Sequence, residues 1–422
     1  MQTRLPEDLL ATDAGREADA ILRSCVHCGF CNATCPTYQV RGDELDGPRG
    51  RIWLVKELLE RGEAGPDTQL HLDRCLTCRA CETTCPSGVR YGRLLELGRE
   101  RLEAEVPRRP LDRLVRAVLL AVVPRPSVLR LPLRVGQYVR PVLPRSLRGK
   151  VPPRQEPPEE PLRPRPHPRR VLLLAGCVQS VATPATNAAT RRVLDALGVR
   201  AEEAWQAGCC GALPLHLGVT ERAKEMARRN VDTWWPALER GAEAVVMTAS
   251  GCGVTVREYG TLLADDPAYA QRAAAVADRT VDLSEFLAGE DLGPLRLRRP
   301  LRVAWHPPCT LQHGQRVTGV VEGILDAVGV ERVPVADAHL CCGSAGTYSL
   351  LQPTLARELR DRKLAALEAD RPELVVTANV GCQLHLAGAT ERPVRHWVEL
   401  LSEALDPGVT DSASRAGGGS AA

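Results

Sequence analysis

Aromatic side chains are scarce in this sequence: two Phe, six Trp and six Tyr amount to 3% of 422 residues. No basic run is interleaved with those rings and the net charge is only +3, so the composition argues against a nucleic-acid partner. Lysine is rarer still, four of the 55 basic residues, an arginine bias that reads as compositional rather than functional. Long apolar runs are absent: the longest, Ala117 to Val123, is far short of the roughly 20 residues a membrane-spanning helix needs. Met1 to Leu10 has neither a basic n-region nor an apolar h-region, so no secretory signal is expected and the chain reads as cytoplasmic. No Gly-x-Gly-x-x-Gly follows a strand-like run, and no catalytic base stands beside an evident substrate pocket.

Cysteine, by contrast, is abundant. Sixteen cysteines in a cytoplasmic chain favour metal ligation over disulfides, because that compartment keeps thiols reduced. They fall into two sets of eight, Cys25 to Cys85 and Cys177 to Cys382. Between them runs a basic, amphipathic stretch ending in a proline-rich segment, with eight prolines from Val151 to Arg170. That segment is expected to be an extended, semi-rigid linker. The expected organisation is a cluster domain over residues 1–100, a connecting region over 101–170, two related repeats over 171–295 and 296–405, and a disordered tail over 406–422.

The first set repeats one phrase. Cys25-x-x-Cys28-x-x-Cys31-x-x-x-Cys35-Pro36 recurs as Cys75-x-x-Cys78-x-x-Cys81-x-x-x-Cys85-Pro86. A cubane needs four thiolates around a compact core; a tight loop supplies three, and the fourth comes from the other motif, where the chain turns at Cys-Pro. This predicts two [4Fe–4S] clusters, one held by Cys25, Cys28, Cys31 and Cys85, the other by Cys75, Cys78, Cys81 and Cys35. Structural zinc, the competing explanation, does not call for a triple Cys-x-x-Cys-x-x-Cys. Between the motifs, Gly42 to Arg51 reads as a turn-rich loop and Ile52 to Arg61 as a helix. Arg49, Arg51 and Arg79 are candidates either for tuning cluster potential or for surface salt bridges.

The second set is an internal repeat. Cys177 precedes Cys209-Cys210-Gly211 by 31 intervening residues, and Cys309 precedes Cys341-Cys342-Gly343 by the same interval. Each half closes with one further cysteine, Cys252 and Cys382. Buried strands are expected at Val171–Ala175, Ala244–Thr248, Leu301–Trp305 and Leu374–Thr377, alternating with helices at Thr186–Leu197, Thr220–Glu239, Val317–Val328 and Pro353–Ala369. Such alternation implies α/β layers on a mainly parallel sheet, with the cysteines at the strands' carboxyl edge, where ligands bind. Cys177, Cys209, Cys210 and Cys252 thus form one candidate metal site, and Cys309, Cys341, Cys342 and Cys382 another. The alternative is buried structural cysteine. His216, His306, His313 and His339 lie near these cysteines as candidate proton relays, donors to sulfur, or packing residues. Leu111 to Val123 reads as an amphipathic helix with an apolar face, suited to a membrane surface, a partner subunit or this chain's own core.

The repeat resembles the Cys-Cys-Gly (CCG) domains of heterodisulfide reductase, anaerobic glycerol-3-phosphate dehydrogenase and lactate-utilisation proteins. The chain up to about Ala404 resembles the iron–sulfur subunits of bacterial glycolate oxidase (glycolate dehydrogenase). Cys25 to Tyr38, Gly42 to Arg51, Leu76 to Tyr91, Thr248 to Gly253, Cys309 to His313 and His339 to Tyr348 carry this likeness. The resemblance implies an α-helical two-cluster ferredoxin-like amino-terminal domain followed by two α/β CCG repeats. It also implies an electron conduit that takes electrons from flavin-binding partner subunits, where a 2-hydroxy acid is oxidised, and passes them toward the membrane quinone pool. Such a chain could be peripheral on the inner face of the membrane. One or two further iron–sulfur clusters would occupy the repeats. In one respect the sequence departs from the family of repeats: the closing Cys-x-x-Cys is replaced by Cys252-Gly-Val-Thr255 and Cys382-Gln-Leu-His385. Each half is left with four thiols, and His385 becomes a candidate replacement ligand. The competing function is a heterodisulfide-reductase-like enzyme acting itself on thiols, disulfides or quinone.

Overall fold

A computed structural model of the chain describes residues 1–62, 64–144, 148–149, 151–155, 167–297 and 299–405. Most of the proline-rich linker and the whole carboxyl-terminal tail lie outside the described residues.

The amino-terminal region is helical. Its principal helices are α1 (Asp13–Ser24), α2 (Pro48–Arg61), α3 (Pro66–Asp73) and α4 (Tyr91–Glu105). Proline at the first turn of α2 and α3 costs no hydrogen bond there and pre-sets the backbone. The Asp46-Gly-Pro48 step therefore starts α2 four residues earlier than expected, so Pro48 to Arg51 are helical rather than part of a loop. Gly62, in the left-handed conformation at φ +65°, ends α2. Leu22, Val55, Leu58, Leu72, Leu94, Leu95 and Leu102 fill the core between these helices.

Two further helices, α5 (Pro110–Val122) and α6 (Pro126–Val139), are unlike the rest. Leu111, Leu114, Val118, Leu131, Val135 and Tyr138 are all exposed, so these apolar side chains have no cover among the described residues. Among the described residues no helix is long and apolar enough to cross a membrane.

Beyond the linker the chain forms two four-stranded, wholly parallel sheets of identical topology. The first contains β1 (Arg169–Leu173), β2 (Val199–Glu203), β3 (Val245–Met247) and β4 (Thr280–Asp282) in the order β2-β1-β3-β4. The second contains β5 (Leu301–His306), β6 (Val330–Val333), β7 (Leu374–Thr377) and β8 (Val394–His396) in the order β6-β5-β7-β8. Crossover helices supply the connections that parallel pairing requires: α7 (Pro184–Ala196) and α8 (Thr220–Glu239) in the first half, α9 (Val320–Ala327) and α10 (Pro353–Glu368) in the second. The central strands β1, β3, β5 and β7 are those whose apolar runs announce them.

The halves share one core, in which Val171, Leu173, Val246, Val303, Trp305, Val376 and Trp397 meet. Polar contacts stitch the seam: the Ser250 N–H donates to the Ala378 carbonyl at 3.1 Å, and the Ser250 and Thr310 hydroxyls lie 2.7 Å apart.

Candidate metal centres

The two amino-terminal motifs build their loops alike. Each opens at the end of a helix, with Cys25 as the cap of α1 and Cys75 one residue past Arg74, the cap of α3, and each places two residues in the left-handed region. These are His27 (φ 56°) and Gly29 (φ 84°) in one loop, Thr77 (φ 53°) and Arg79 (φ 60°) in the other. Left-handed positions curl the backbone and turn its N–H groups inward; the Thr77 N–H reaches the Cys75 Sγ at 3.4 Å.

Two cavities result. Cys25, Cys28, Cys31 and Cys85 line the first; Cys35, Cys75, Cys78 and Cys81 line the second. Cys81 also touches the first cavity and so forms the wall between them. In each, three sulfurs come from one motif and the fourth from the Cys-Pro step of the other, a donor set that fits the ligand count of a [4Fe–4S] cluster. Burial, reinforced by the thiols of Cys25 and Cys85, pushes the Cys31 thiol up to about 11. Burial first, then Cys78, Cys75 and Cys35, raises Cys81. Metal binding at these sites therefore has to release protons.

The two cavities differ in depth. Cys28 is exposed and flanked by the exposed apolar side chains Val26 and Phe30. Three of the second cavity's four cysteines, Cys35, Cys75 and Cys81, are buried, and hydrogen bonds to sulfur back it: the Tyr91 hydroxyl donates to Cys75 Sγ at 3.4 Å, and the Thr37 hydroxyl lies 3.3 Å from Cys35 Sγ. Behind it Arg51, 1% exposed, donates to the His71 carbonyl at 2.7 Å and to the Thr37 hydroxyl at 3.1 Å. The buried Asp46 carboxylate meets His71 and Arg74, each at 2.9 Å. Arg51 is thus no surface salt bridge. Arg49 is one, pairing with Glu44 at 2.6 Å on the partly exposed rim. Arg79 reaches out of its loop to Glu258 of the first repeat, at 2.8 Å through one nitrogen.

In the repeats each set of four thiols comes together at the carboxyl edge of its sheet. Cys177 Sγ donates to Cys209 Sγ at 3.6 Å, and Cys210 hydrogen-bonds both Cys209 and Cys252. The second half repeats the chain of contacts, Cys309 to Cys341 at 3.7 Å, Cys341 to Cys342, and Cys342 to Cys382. Gly211 (φ 90°) and Gly343 (φ 86°) turn the backbone where a Cβ would strike the carbonyls of Ala223 and Ala356. The second repeat abuts the second cavity directly: Cys309 and Cys341 share a buried cluster with Leu76, against which Cys78 packs.

The histidines separate. His306 ends β5, wholly buried, and one of its ring nitrogens lies within 4.8 Å of both Cys342 and Cys382 Sγ. His216 is half-buried beside Arg99 and Arg79, and desolvation, with those two cations, pushes its imidazole down to about 3. The His313 ring bridges the Thr83 hydroxyl at 2.9 Å and the His339 carbonyl at 3.0 Å. His385 directs Nε2 at the Ala356 carbonyl, 3.1 Å away, rather than at sulfur. Lys363 was not singled out by its sequence surroundings. It is 3% exposed, donates to the Asp337 carbonyl at 2.6 Å, and acts electrostatically on Cys342, Cys341 and Cys309.

A helical two-motif domain joined to a pair of cysteine-rich α/β repeats defines an iron–sulfur electron-transfer protein. Family profiles agree: a 4Fe-4S dicluster domain matches residues 21–89, and a cysteine-rich domain matches residues 171–257 and 303–387. The chain is 54% identical to the "Glycolate oxidase iron-sulfur subunit" of Escherichia coli (strain K12), over 96% of this chain and all of that one. It is 34% identical to the "Probable glycolate oxidase iron-sulfur subunit" of Bacillus subtilis (strain 168), over 91% and 94% of the two chains. It is 28% identical to "Lactate utilization protein A" of Shouchella clausii, over 55% of this chain and 98% of that one. A crystal structure of a hypothetical protein from Helicobacter pylori shares the fold, with a TM-score of 0.52 at 10% identity, covering 97% of this chain and 77% of that one. The chain belongs to the family of glycolate oxidase iron–sulfur subunits, oxidoreductase components that transfer electrons within a larger complex.

Proposed function

We propose that this chain is the electron conduit of a glycolate-oxidising complex, carrying electrons from flavin-binding partner subunits toward the quinone pool. The observation that carries this reading is the pair of adjacent cavities, each lined by four cysteines drawn three from one motif and one from the other. Cys25, Cys28, Cys31 and Cys85 would hold one [4Fe–4S] cluster, and Cys75, Cys78, Cys81 and Cys35 the other. Such clusters, when bound, take up and release single electrons.

The chain's own residues give the conduit a direction. Val26 and Phe30 offer an apolar landing site beside the exposed Cys28, where a donor subunit docks. Inward, Cys81 separates the two cavities, and Cys78 abuts Cys309 and Cys341. Sulfur ligands thus run from the surface to the second repeat without an intervening layer. The uncovered faces of α5 and α6 are the surface for a further subunit of the complex.

The test is iron and acid-labile sulfide per chain after anaerobic purification, with EPR of the reduced protein. Two cubanes give about eight irons, and occupied repeats give more. Alone, the chain should oxidise no glycolate. Stoichiometric zinc without sulfide, or turnover of glycolate by the isolated chain, would overturn the reading.

A further inference from the structure

The two repeats share their cysteine frame but not the walls around it. Three residues before Cys177 stands Leu174; three residues before Cys309 stands His306. Both are buried at the carboxyl end of the first strand of their sheet. Leu174 packs on Cys209 and Cys210 as an ordinary apolar side chain. His306 is different in a way that calls for explanation. It is 0% exposed, and among the described residues neither Nδ1 nor Nε2 has a hydrogen-bond partner. Leaving a buried polar group unpaired forfeits its hydration without compensation, so native structures rarely tolerate it without a purpose.

The purpose is visible in what surrounds the ring. A His306 nitrogen and the sulfurs of Cys342 and Cys382 all lie within 4.8 Å of one another, with all three residues buried. Ligand atoms around a single ion, at bond lengths of about 2.0 Å to nitrogen and 2.3 Å to sulfur, lie no more than about 4.6 Å apart, which matches this spacing to within a small side-chain shift.

We propose that His306 is a metal ligand, making the second repeat a mixed imidazole–thiolate centre with Cys342 and Cys382, while the first repeat offers thiolates alone. The proposal deepens the reading of the chain as an iron–sulfur protein and rests on it for the identity of the metal. The shared chemistry is one imidazole and two thiolates on a metal that is either an iron of a cluster or zinc. The neutral ring binds through a lone pair, and the two thiols give up their protons to solvent as the metal enters. His306 thereby supplies the nitrogen ligand that His385, turned toward the Ala356 carbonyl, does not. An imidazole in place of a thiolate removes a negative charge from the centre, as in Rieske sites, and raises its potential. With a cluster iron as the metal, the second repeat is the more oxidising half; with redox-inert zinc, it carries no electron.

The experiment uses the full chain, purified anaerobically, as wild type, His306→Leu, His306→Cys and His385→Leu. His306→Leu installs the residue the first repeat carries at this place. Iron and zinc are counted per chain, nitrogen coupling is read by pulsed EPR of the reduced protein, and nitrogen scattering by X-ray absorption at the zinc edge. The wild type is expected to hold metal beyond the roughly eight irons of the amino-terminal sites, with directly bound nitrogen. His306→Leu loses the nitrogen signature, and its affinity for the second-repeat metal falls at least about tenfold, while the first eight irons remain. His306→Cys keeps the metal, loses the nitrogen and shows a lower potential, which covers the case in which His306→Leu folds poorly. His385→Leu behaves as wild type. A signature at the zinc edge assigns zinc; one in the EPR of a reduced cluster assigns iron. Second-repeat metal without bound nitrogen, no metal beyond eight irons, or a nitrogen signal lost in His385→Leu instead would overturn the proposal. Absence of iron and sulfide altogether would sink the conduit reading, while zinc bound through His306 would still register at its own edge.

Discussion

The first and second repeats have the same strand order, the same cysteine spacing and the same glycine turn, yet they meet the amino-terminal region differently. The first meets it through charge: Arg79 pairs with Glu258, with Glu96 and Arg93 beside them. The second meets it through an apolar seam of Leu76, Cys78, Cys309, Cys341 and Tyr348. Their interiors differ in the same sense. Seven residues beyond the alanine that each Cys-Cys-Gly turn faces, the first repeat has Asn230 and the second Lys363. Asn230 donates to the Cys209 carbonyl and to Tyr259 in a neutral network, whereas Lys363 sets a cation near three thiols. Duplication has kept the frame that gathers sulfur and altered the side chains that set its charge. The frame is common to both halves, and the walls set a different charge around the sulfurs of each.

The largest test of that contrast is to break one seam at a time. Cys309→Ser should slow reoxidation of the reduced chain by a quinone analogue by at least about tenfold, the scale on which disturbed metal sites lose activity. Cys177→Ser should slow it less, since the first repeat lies off the sulfur seam. Equal losses in stopped-flow traces would show that both halves carry the current and that the seam gives no direction.

Exchanging the walls should be costly in stability, and unequally so. Asn230→Lys breaks a neutral network and buries an unpaired amine, at about 3–5 kcal/mol. Lys363→Asn leaves the Asp337 and Ala338 carbonyls without their donor, at roughly 1–3 kcal/mol. Anaerobic denaturant titrations measure both, and matching costs would mean that the walls are interchangeable.

The smallest effect concerns pH. Burial, with Glu258 adding to it, pushes the Glu96 carboxyl up from 4.5 to about 7 despite Arg79 and Arg93. The folded chain thus holds this proton more tightly than the unfolded one, and the junction with the first repeat is most stable below about 4.5 and weakens as pH rises to about 7. Glu96→Gln should flatten that part of a stability–pH profile. An unchanged slope would remove Glu96 from the account of the junction.

Much of the plan was legible in the sequence, for reasons that particular residues make clear. The central strands are buried on both faces, so their apolar runs stand out; Leu374 to Thr377 has the bounds its run gives it, whereas β1 starts two residues before its run, at Arg169, and ends at Leu173. The outer strands Val199–Glu203, Thr280–Asp282, Val330–Val333 and Val394–His396 are short and half polar, and only pairing with a neighbour makes them strands. The pairing of three cysteines with one from the other motif could be anticipated because a tight loop can offer only three. The role of Arg51 could not: its partners His71 and Asp46 reach it only once α2 and α3 have folded together. His306 is one candidate among four, and what distinguishes it, a buried ring unpartnered among the described residues with one nitrogen within 4.8 Å of two sulfurs, exists only in three dimensions.

Arg79 has a consequence for the order in which the molecule is made. It stands in the left-handed region at φ 60° where the sister loop has Gly29, a conformation that costs a non-glycine residue about 1–3 kcal/mol unless its surroundings enforce it. The residue that enforces it, Glu258, lies 179 positions later in the chain. The outer loop has glycine at this place and needs no such partner there, although it carries its own left-handed residue, His27 at φ 56°. The inner loop gains the Glu258 contact only once the first repeat has been made and folded, so the far half of the polypeptide completes the support of the inner cysteine site.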